Sequence, residues 1–279
     1  MLEIKEIERC IIKRYRKKLW TPFVKAINDY ELLQDGDKIA VCISGGKDSL
    51  LLGKLFQELK RHGKINFELE FISMDPGFHE VNKNALITNA KDLKIPLKFF
   101  DTDIFKVVQK HAHEFPCYLC ARMRRGSLYS KAKELGCNKI ALGHHFNDVI
   151  ETTMMNLMYA GTFKTMLPKL KATNFDNMEL IRPLFLVKEN DIITYTKYIG
   201  LEAMNCGCEV AAGKVASTRA NIKKLIADYK DVFIDVDKSI FSAATNVNLD
   251  AIIGYSSNGH KHSYLEHYDD NKIINLEEE

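Results

Sequence analysis

The chain has 279 residues, of which 46% are hydrophobic, and a formal charge of only +3 at pH 7. This size and composition predict one large α/β domain with appendages, or two small domains, and argue against disorder as the main state. Because the charge is slight, a nucleic-acid surface must come from local clustering. There is no signal peptide and no apolar run of about 18 residues, so we expect a cytoplasmic protein with no membrane partner. Seven cysteines in such a protein favour metal or redox chemistry over disulfides.

The N-terminal stretch, residues 1–33, has apolar residues at helical spacing and a basic block in its middle. Two aromatic residues, Tyr15 and Trp20, stand beside the block. The block is either a solvated helix face or a contact for RNA phosphates. Its members are Lys13, Arg14, Arg16, Lys17 and Lys18.

A glycine turn lies between an apolar stretch at 38–43, which we interpret as a buried strand, and an amphipathic stretch at 50–59, which we interpret as a helix. Glycines lack a Cβ and let backbone N–H groups close on an anion, and the helix N-terminus adds unpaired donors. The spacing does not fit the common P-loop, and there is no G-x-G-x-x-G. The turn predicts phosphate binding, and its sequence is Ser44-Gly45-Gly46-Lys47-Asp48-Ser49.

The side chains of this turn suit the same role. Lys47 adds a positive charge, Ser44 and Ser49 offer hydroxyl donors, and Asp48 can hold a metal ion against the phosphates. The turn resembles the SGGxDS loop of the PP-loop ATPases, enzymes that split ATP between its α- and β-phosphates. The resemblance implies that the six residues bind ATP and Mg²⁺, with Lys47 and Asp48 as catalytic residues.

Strand-like and helical stretches alternate after the turn. Strand patterns cover residues 65–74, 97–100 and 139–142, and helical patterns cover 80–93, 104–112 and 153–159. Such alternation implies right-handed crossovers and a parallel sheet with helices on both faces. The predicted fold class is therefore α/β of the PP-loop type, also called adenine nucleotide α-hydrolase type, with helical N- and C-terminal extensions. We divide the chain into a helical basic segment at 1–34, a PP-loop domain with a cysteine cluster at 35–211, and a helical segment with a tail at 212–279.

Ligands of such sheets bind at the carboxyl ends of the strands. This rule brings three segments to one rim: the glycine turn, Met74, and Gly143 with His144. Met74 is either a resting place for an adenine edge or a plain strand-end residue. Gly143 permits close approach of a ligand. Asp148 and Glu151, which follow it, are predicted to help hold Mg²⁺ or to orient neighbouring groups.

Two other polar groups have both structural and functional interpretations. Asn147 can cap the helix that starts near it, which would give this part of the rim a structural role. Arg219, Lys223 and Lys224 lie on an apparent helix. They are either an extension of an RNA surface or a solvated helix face.

Four cysteines have the spacing of a metal or cluster site. Cys117 and Cys120 form a C-x-x-C pair, and nearby arginines favour the thiolate form. Cys206 and Cys208 follow an apparent strand at 201–205, which would return them to the same edge of the sheet. Three or four thiolates bind either Zn²⁺ or an iron–sulfur cluster, and the spacing does not decide between them. The nearby arginines are Arg122, Arg124 and Arg125, and the single cysteines in apolar surroundings, predicted to be inert core residues, are Cys10, Cys42 and Cys137.

Three further stretches together resemble the tRNA 2-thiocytidine synthetase family over residues 37–208, a region that includes the glycine turn. They are C-x-x-C-x-R-x-R-R-G-x-L-Y at 117–129, K-I-A-L-G-H-H at 139–145 and I-R-P-L at 181–184. The family uses ATP, Mg²⁺ and a [4Fe–4S] cluster to replace the C2 oxygen of an anticodon-loop cytidine with sulfur. This chain departs from the family pattern twice. It has Asn147-Asp148 where the family has Asp-Asp, and Cys206-Gly207-Cys208 where the family has Cys-x-x-Cys.

The resemblance also implies cluster ligands and partners. Cys117 and Cys120 take two cluster positions, and Cys206 is preferred as the third because its position best matches the family's third cysteine. Cys208 then either substitutes for Cys206 or stays free as a catalytic sulfur acceptor. The partners are tRNA and a sulfur donor system such as a cysteine desulfurase, and a homodimer is left open. The alternative functions are thiolation of a tRNA uridine and a non-catalytic nucleotide-binding module with structural zinc.

Overall fold

A six-stranded sheet lies at the centre of the protein in the computed structural model, which describes residues 1–102, 104, 116–204 and 215–268. The strands follow the spatial order β3-β2-β1-β4-β6-β5, and only the edge strand β5 runs antiparallel to its neighbour. The predicted α/β class is confirmed, with this antiparallel edge as an addition. The bounds are β1 Lys38–Cys42, β2 Glu68–Asp75, β3 Leu97–Asp101, β4 Lys139–Ala141, β5 Lys169–Lys171 and β6 Glu179–Ile181.

Helices surround this sheet and extend from both ends of the PP-loop region. Within the described ranges they are α1 Ile4–Ile12, α2 Thr21–Asp29, α3 Lys47–His62, α4 Glu80–Asp92, α5 Pro116–Glu134, α6 Phe146–Ala160, α7 Glu189–Ile199, α8 Val215–Lys230 and α9 Val236–Ala243. None of them is long and apolar enough to cross a membrane.

The central strand β1 shows how both faces of the sheet are covered. Successive side chains of a strand point to opposite faces. Ile39 and Val41 join the main core together with side chains of α3 and α7. Ala40 and Cys42 join a second cluster together with Ala132 of α5. The continuous apolar run therefore fits a strand that is buried on both sides.

The N-terminal segment packs along α7. At its start the backbone N–H of Leu2 donates to the carbonyl of Ile199, the last residue of α7. Further on, Lys18 pairs with Asp191 in the first turn of α7, with 3.0 Å between nitrogen and oxygen. The segment therefore follows α7 from its end to its beginning. A short π-helix at Arg16–Trp20 lies at that beginning and carries part of the basic block.

The C-terminal segment begins with α8 and α9, which pack against α6. Ile222 of α8 shares an apolar cluster with Phe146, whose ring stacks on Phe241 with 4.9 Å between centroids. Beyond α9, where the sequence analysis predicted a tail, β7 Gly254–Ser257 and β8 His260–Ser263 form a hairpin. Its turn is Asn-Gly at 258–259 with positive φ at both residues, which is the turn that two-residue hairpins favour.

Several predicted elements need correction. Strand β2 begins at Glu68 rather than at residue 65. The stretch 201–204 is not a strand. Asn89 of α4 donates to the carbonyl of Glu202, and the backbone N–H of Met204 donates to the carbonyl of Gly45 in the glycine turn. Of the predicted helix at 104–112, only Ile104 lies within the described residues, as a buried residue. The domain boundaries stay a prediction.

Candidate nucleotide-binding site

The glycine turn joins β1 to α3 and is closed by its own serines. Gly45 has a φ of +86°, a backbone conformation that favours glycine. The Ser49 hydroxyl donates to the Gly46 carbonyl at 2.9 Å and lies 3.1 Å from the Ser44 backbone nitrogen. Ser49 is buried and helps fix the turn, whereas Ser44 is exposed. The N-terminus of α3, which begins at Lys47, follows directly.

Two glycines allow neighbouring segments to approach the turn closely. A Cβ on Gly45 would lie 2.4 Å from Sδ of Met204. A Cβ on Gly143 would lie 3.2 Å from the backbone carbonyl carbon of Asp48 and 3.2 Å from the backbone nitrogen of Ser49. We expected Gly143 to make room for a ligand. In the structure, the missing side chain of Gly143 makes room for the backbone of the glycine turn.

Lys47 and Asp48 form a charged group at the start of α3. Lys47 Nζ lies 3.1 Å from Asp48 Oδ2 and 3.3 Å from Oε1 of Glu189, the first residue of α7. Burial alone would lower the pKa of Lys47, but the two carboxylates outweigh it and raise the pKa. The other oxygen of Asp48, Oδ1, is buried and accepts no hydrogen bond from the described residues. His145 Nε2 lies 3.9 Å from this oxygen, and a carboxylate oxygen without a hydrogen bond suits a cation.

The rim segment after β4 caps helix α6. His145 precedes the helix: its Nδ1 accepts from Asp148 N–H at 3.3 Å, and Asp148 Oδ2 accepts from His145 N–H at 3.0 Å. The prediction that Asn147 caps this helix is wrong, because the helix already begins at Phe146. Asn147 instead accepts a hydrogen bond from the backbone N–H of Glu189 at 3.0 Å, which ties α6 to α7.

Helix α8 reaches this rim from the C-terminal segment. Arg219 Nη1 lies 3.0 Å from Asp148 Oδ1 and 3.1 Å from Oε2 of the buried Glu151. Lys223 Nζ lies 2.5 Å from Glu189 Oε2. Of the three basic residues for which we left open an RNA surface or a solvated face, these two contact acidic side chains of the rim, and Lys224 is exposed.

A cavity of about 570 Å³ opens between the glycine turn and α5. Its walls include Met74 and Phe78 on the β2 side, and His144 and Arg182 on the β4 and β6 side. Burial lowers the pKa of His144 to about 4, so its ring is neutral at pH 7. Met74 is the penultimate residue of β2, and Arg182 directly follows β6; Arg182 was not among the predicted site residues. Also on the walls are Ser44, Asp48, Ser49, Arg124, Arg125, Gly143 and Asp148.

The cysteines fall into two groups. Cys10, Cys42 and Cys137 are buried and free, as predicted for core residues. Cys117 and Cys120 lie in the first turns of α5, but their side chains are outside the described part of the chain, as are residues 206 and 208. Among the side chains that the structure describes, no group of three His, Cys, Asp or Glu residues is arranged to hold a metal ion.

Comparisons with known proteins agree with this geometry. The family model for the PP-loop domain matches residues 15–205. The tRNA-cytidine(32) 2-sulfurtransferase of Syntrophotalea carbinolica is 36% identical over 225 residues, which cover 80% of this chain and 86% of that protein. The enzyme of the same name from Neisseria meningitidis serogroup C is 39% identical over 227 residues, covering 80% of this chain and 69% of that protein.

A solved structure has the same fold. The U34-tRNA thiolase NcsA from Methanococcus maripaludis, determined with its [4Fe–4S] cluster, matches with a TM-score of 0.67 at 22% identity, covering 90% of this chain and 82% of that one. At this identity the match concerns the fold alone. The sequence matches, together with a glycine turn of PP-loop spacing at the carboxyl edge of the sheet, assign the family. The chain belongs to the PP-loop family of tRNA-cytidine(32) 2-sulfurtransferases.

Proposed function

We propose that this protein is an ATP-dependent tRNA sulfurtransferase that converts an anticodon-loop cytidine to 2-thiocytidine. ATP adenylates the C2 carbonyl oxygen of the base and pyrophosphate leaves; sulfur then replaces the oxygen, which departs with AMP. The observation that carries this proposal is the buried Asp48 Oδ1 beside Lys47 at the start of α3, because this oxygen accepts no hydrogen bond from the described residues. The helix N-terminus and Lys47 suit phosphate, and the free carboxylate oxygen suits the metal ion that accompanies it.

Different residues around the turn would bind different parts of the nucleotide. Ser44, Gly45, Gly46, Lys47, Asp48 and Ser49 would hold the pyrophosphate end of ATP, and Asp48 would hold Mg²⁺. When bound, Mg²⁺ neutralises charge that develops on the phosphates. Met74 and Phe78 provide apolar surface for the adenine ring. Gly143, His144 and Asp148 also line the cavity and would face the phosphates.

A [4Fe–4S] cluster is the second cofactor that we propose, with Cys117, Cys120 and Cys206 as ligands and Cys208 as a catalytic sulfur acceptor. When bound by three thiolates, the cluster supplies an open iron for sulfide. Helix α5 supports this arrangement, because Cys120 precedes the cavity residue Arg124 by four residues, a rise of about 6 Å along the helix. A donor system such as a cysteine desulfurase would supply the sulfur.

The basic block supports tRNA as the substrate. The π-helix that carries Arg16 and Lys17 is tied by Lys18 to Asp191, two residues from the Glu189 that contacts Lys47. Exposed positive side chains therefore stand beside the rim, where they suit the phosphates of an RNA loop. We propose that the enzyme works in the cytoplasm, as a monomer or a homodimer.

The test is mass spectrometry of tRNA nucleosides from a strain that lacks this protein. We expect 2-thiocytidine to disappear and to return when the wild-type gene is restored. Loss of a thiolated uridine instead would contradict the choice of base. In a second measurement, the purified protein with tRNA should convert ATP to AMP and pyrophosphate; release of ADP as the main product would contradict adenylation.

A further inference from the structure

Arg182 is a buried guanidinium that has no counter-ion among the described residues. It follows β6 at the carboxyl edge of the sheet, and only 7% of the residue is exposed. One terminal nitrogen donates to the carbonyl of Leu167, while Nε is buried and has no hydrogen-bond partner in the described part of the chain. No carboxylate among the described residues lies within 4 Å of the guanidinium. Burying a charge is costly unless the charge is paired, so this position needs an anion.

The cavity around Arg182 does not provide that anion itself. The two carboxylates on its walls already have cationic partners, since Asp48 pairs with Lys47 and Asp148 pairs with Arg219. His144 is neutral at pH 7 because burial lowers its pKa to about 4. Arg124 and Arg125 line the same cavity and add positive charge. A water molecule can accept a hydrogen bond from Nε but cannot neutralise the charge, which an anionic ligand would do.

The position of Arg182 indicates which part of the ligand this is. Along the rim, Met74 lies at the end of β2, the glycine turn follows β1, and His144 follows β4. Arg182 follows β6 and closes the opposite side of the same cavity. With adenine near Met74 and pyrophosphate on the turn, the anionic group of ATP that is left for Arg182 is the α-phosphate. This is also the phosphate to which the base becomes joined in the adenylation step.

We propose that Arg182 binds the α-phosphate of ATP and keeps this contact after pyrophosphate has left, which makes it a catalytic residue of the thiolation reaction. This inference rests on the proposed function. In the adenylation step, the carbonyl oxygen of the base forms a bond to the α-phosphorus while the bond to the pyrophosphate oxygen breaks, and pyrophosphate leaves with that electron pair. In the second step, sulfide forms a bond to C2 of the base, the C–O bond breaks, and AMP leaves with the electrons of that bond.

The chemistry of arginine suits this role. Burial lowers the pKa of Arg182 to about 10, so the side chain stays charged at pH 7 and throughout both steps. A guanidinium donates two parallel hydrogen bonds to a phosphate, which fixes the direction of the phosphorus as well as its charge. Positive charge at this point stabilises the α-phosphate both when it is attacked and when AMP departs.

The test compares binding of AMP, adenosine and pyrophosphate to the full chain by calorimetry. In wild type, AMP should bind more tightly than adenosine, and Arg182→Gln should reduce this ratio of affinities by about 10- to 100-fold, the value of a hydrogen bond to a charged group. Pyrophosphate affinity should not change. Arg61→Gln is the matched control, because Arg61 is a partly exposed arginine that pairs with Glu8 away from the cavity.

The ratio separates a binding role from damage to the fold, because a distorted site weakens AMP and adenosine together. If Arg182→Gln does not fold, Arg182→Lys replaces it; we expect a smaller ratio there too, because an ammonium lacks the planar fork that lets a guanidinium donate to Leu167 through one nitrogen and to a phosphate through the other two. An unchanged ratio in the folded variant would overturn the inference, and a raised KM for tRNA alone would show that Arg182 serves the base. Phosphate-dependent AMP binding by a wild-type protein that forms no 2-thiocytidine would contradict the proposed function but leave the contact between Arg182 and the α-phosphate standing.

Discussion

Arg219 Nη1 lies 3.0 Å from Asp148 Oδ1, although 71 residues separate the two in the chain. Through this contact a helix from the C-terminal segment holds the acidic side of the candidate site. We had expected Asp148 and Glu151 to help hold Mg²⁺, and both contact the Arg219 guanidinium. In this arrangement Asp48 is better suited to the metal ion than Asp148, because its Oδ1 accepts no hydrogen bond from the described residues.

Replacing Arg219 with Gln should weaken both the fold near α8 and the activity. The change leaves Glu151 buried without its cationic partner, at a cost of about 1–2 kcal/mol after allowance for the partial exposure of Arg219. We expect a lower unfolding midpoint in urea and weaker ATP binding. Lys224→Gln is the control, because Lys224 is an exposed residue on the same helix. Equal effects of the two substitutions would show that the rim contact of Arg219 has no special importance.

The substitution Asp48→Asn should abolish turnover and keep the fold. Asn has the shape of Asp but lacks the negative charge for Mg²⁺, so we expect AMP formation to fall by about 100-fold or more. Circular dichroism and the melting temperature should match wild type. The control is Asp29→Asn, at an exposed carboxylate that pairs with Lys25 far from the turn. Full activity of Asp48→Asn in Mg²⁺ would contradict the assignment.

Separate Cys→Ala variants test the proposed cluster ligands. After anaerobic reconstitution, the variants of Cys117, Cys120 and Cys206 should lose iron, and the Cys208 variant should keep it but lose thiolation. Cys137→Ala is the control, because that thiol is buried in the core. Iron loss in the Cys208 variant but not in the Cys206 variant would exchange their roles. Iron loss in both would indicate a closed site with four cysteines.

Affinity for tRNA should fall steeply with salt concentration, because phosphate contacts release counterions. If the π-helix contacts the RNA backbone, the double substitution Arg16→Gln and Lys17→Gln should reduce the slope of log K against log salt by about 1 to 2. Lys25→Gln, at an exposed lysine of α2 that pairs with Asp29, should leave the slope as in wild type. Identical slopes for all three proteins would remove this segment from the RNA surface.

Stability should fall between pH 7 and pH 5 because of His144. Burial lowers the pKa of this residue from 6.5 to about 4. Between pH 7 and pH 5 the unfolded chain therefore binds a proton at His144 that the folded protein does not bind. The stability that neutral His144 contributes is present above pH 6.5 and is lost as the pH falls toward 4. The loss from pH 7 to pH 5 is about 2 kcal/mol, and His144→Gln should remove it. Urea unfolding at the two pH values measures the difference; an equal loss in the variant would contradict the prediction.

Local patterns predicted much of the fold and the centre of the site. The glycine turn was recognisable because its spacing and its neighbours lie within about twenty consecutive residues. The roles of Glu189 and Arg182 could not be recognised in the sequence, because they depend on burial and on contacts across the rim. We predicted Asn147 as the cap of α6, and the cap is His145, because a helix start that differs by one or two residues changes which side chain precedes the helix. The Asn-Gly pair at 258–259 did signal the hairpin that we missed.

The hydrogen bond from Met204 to Gly45 connects the glycine turn to the segment that carries two of the proposed functional cysteines. Met204 directly precedes the part of the chain that contains Cys206 and Cys208, and α8, which directly follows that part, is held to the rim through Arg219 and Lys223. Both ends of the thiol-bearing stretch are thus anchored to the elements that meet the nucleotide. If the turn shifts when ATP binds or pyrophosphate leaves, both anchors would move with it, which would couple the proposed sulfur delivery to activation of the base.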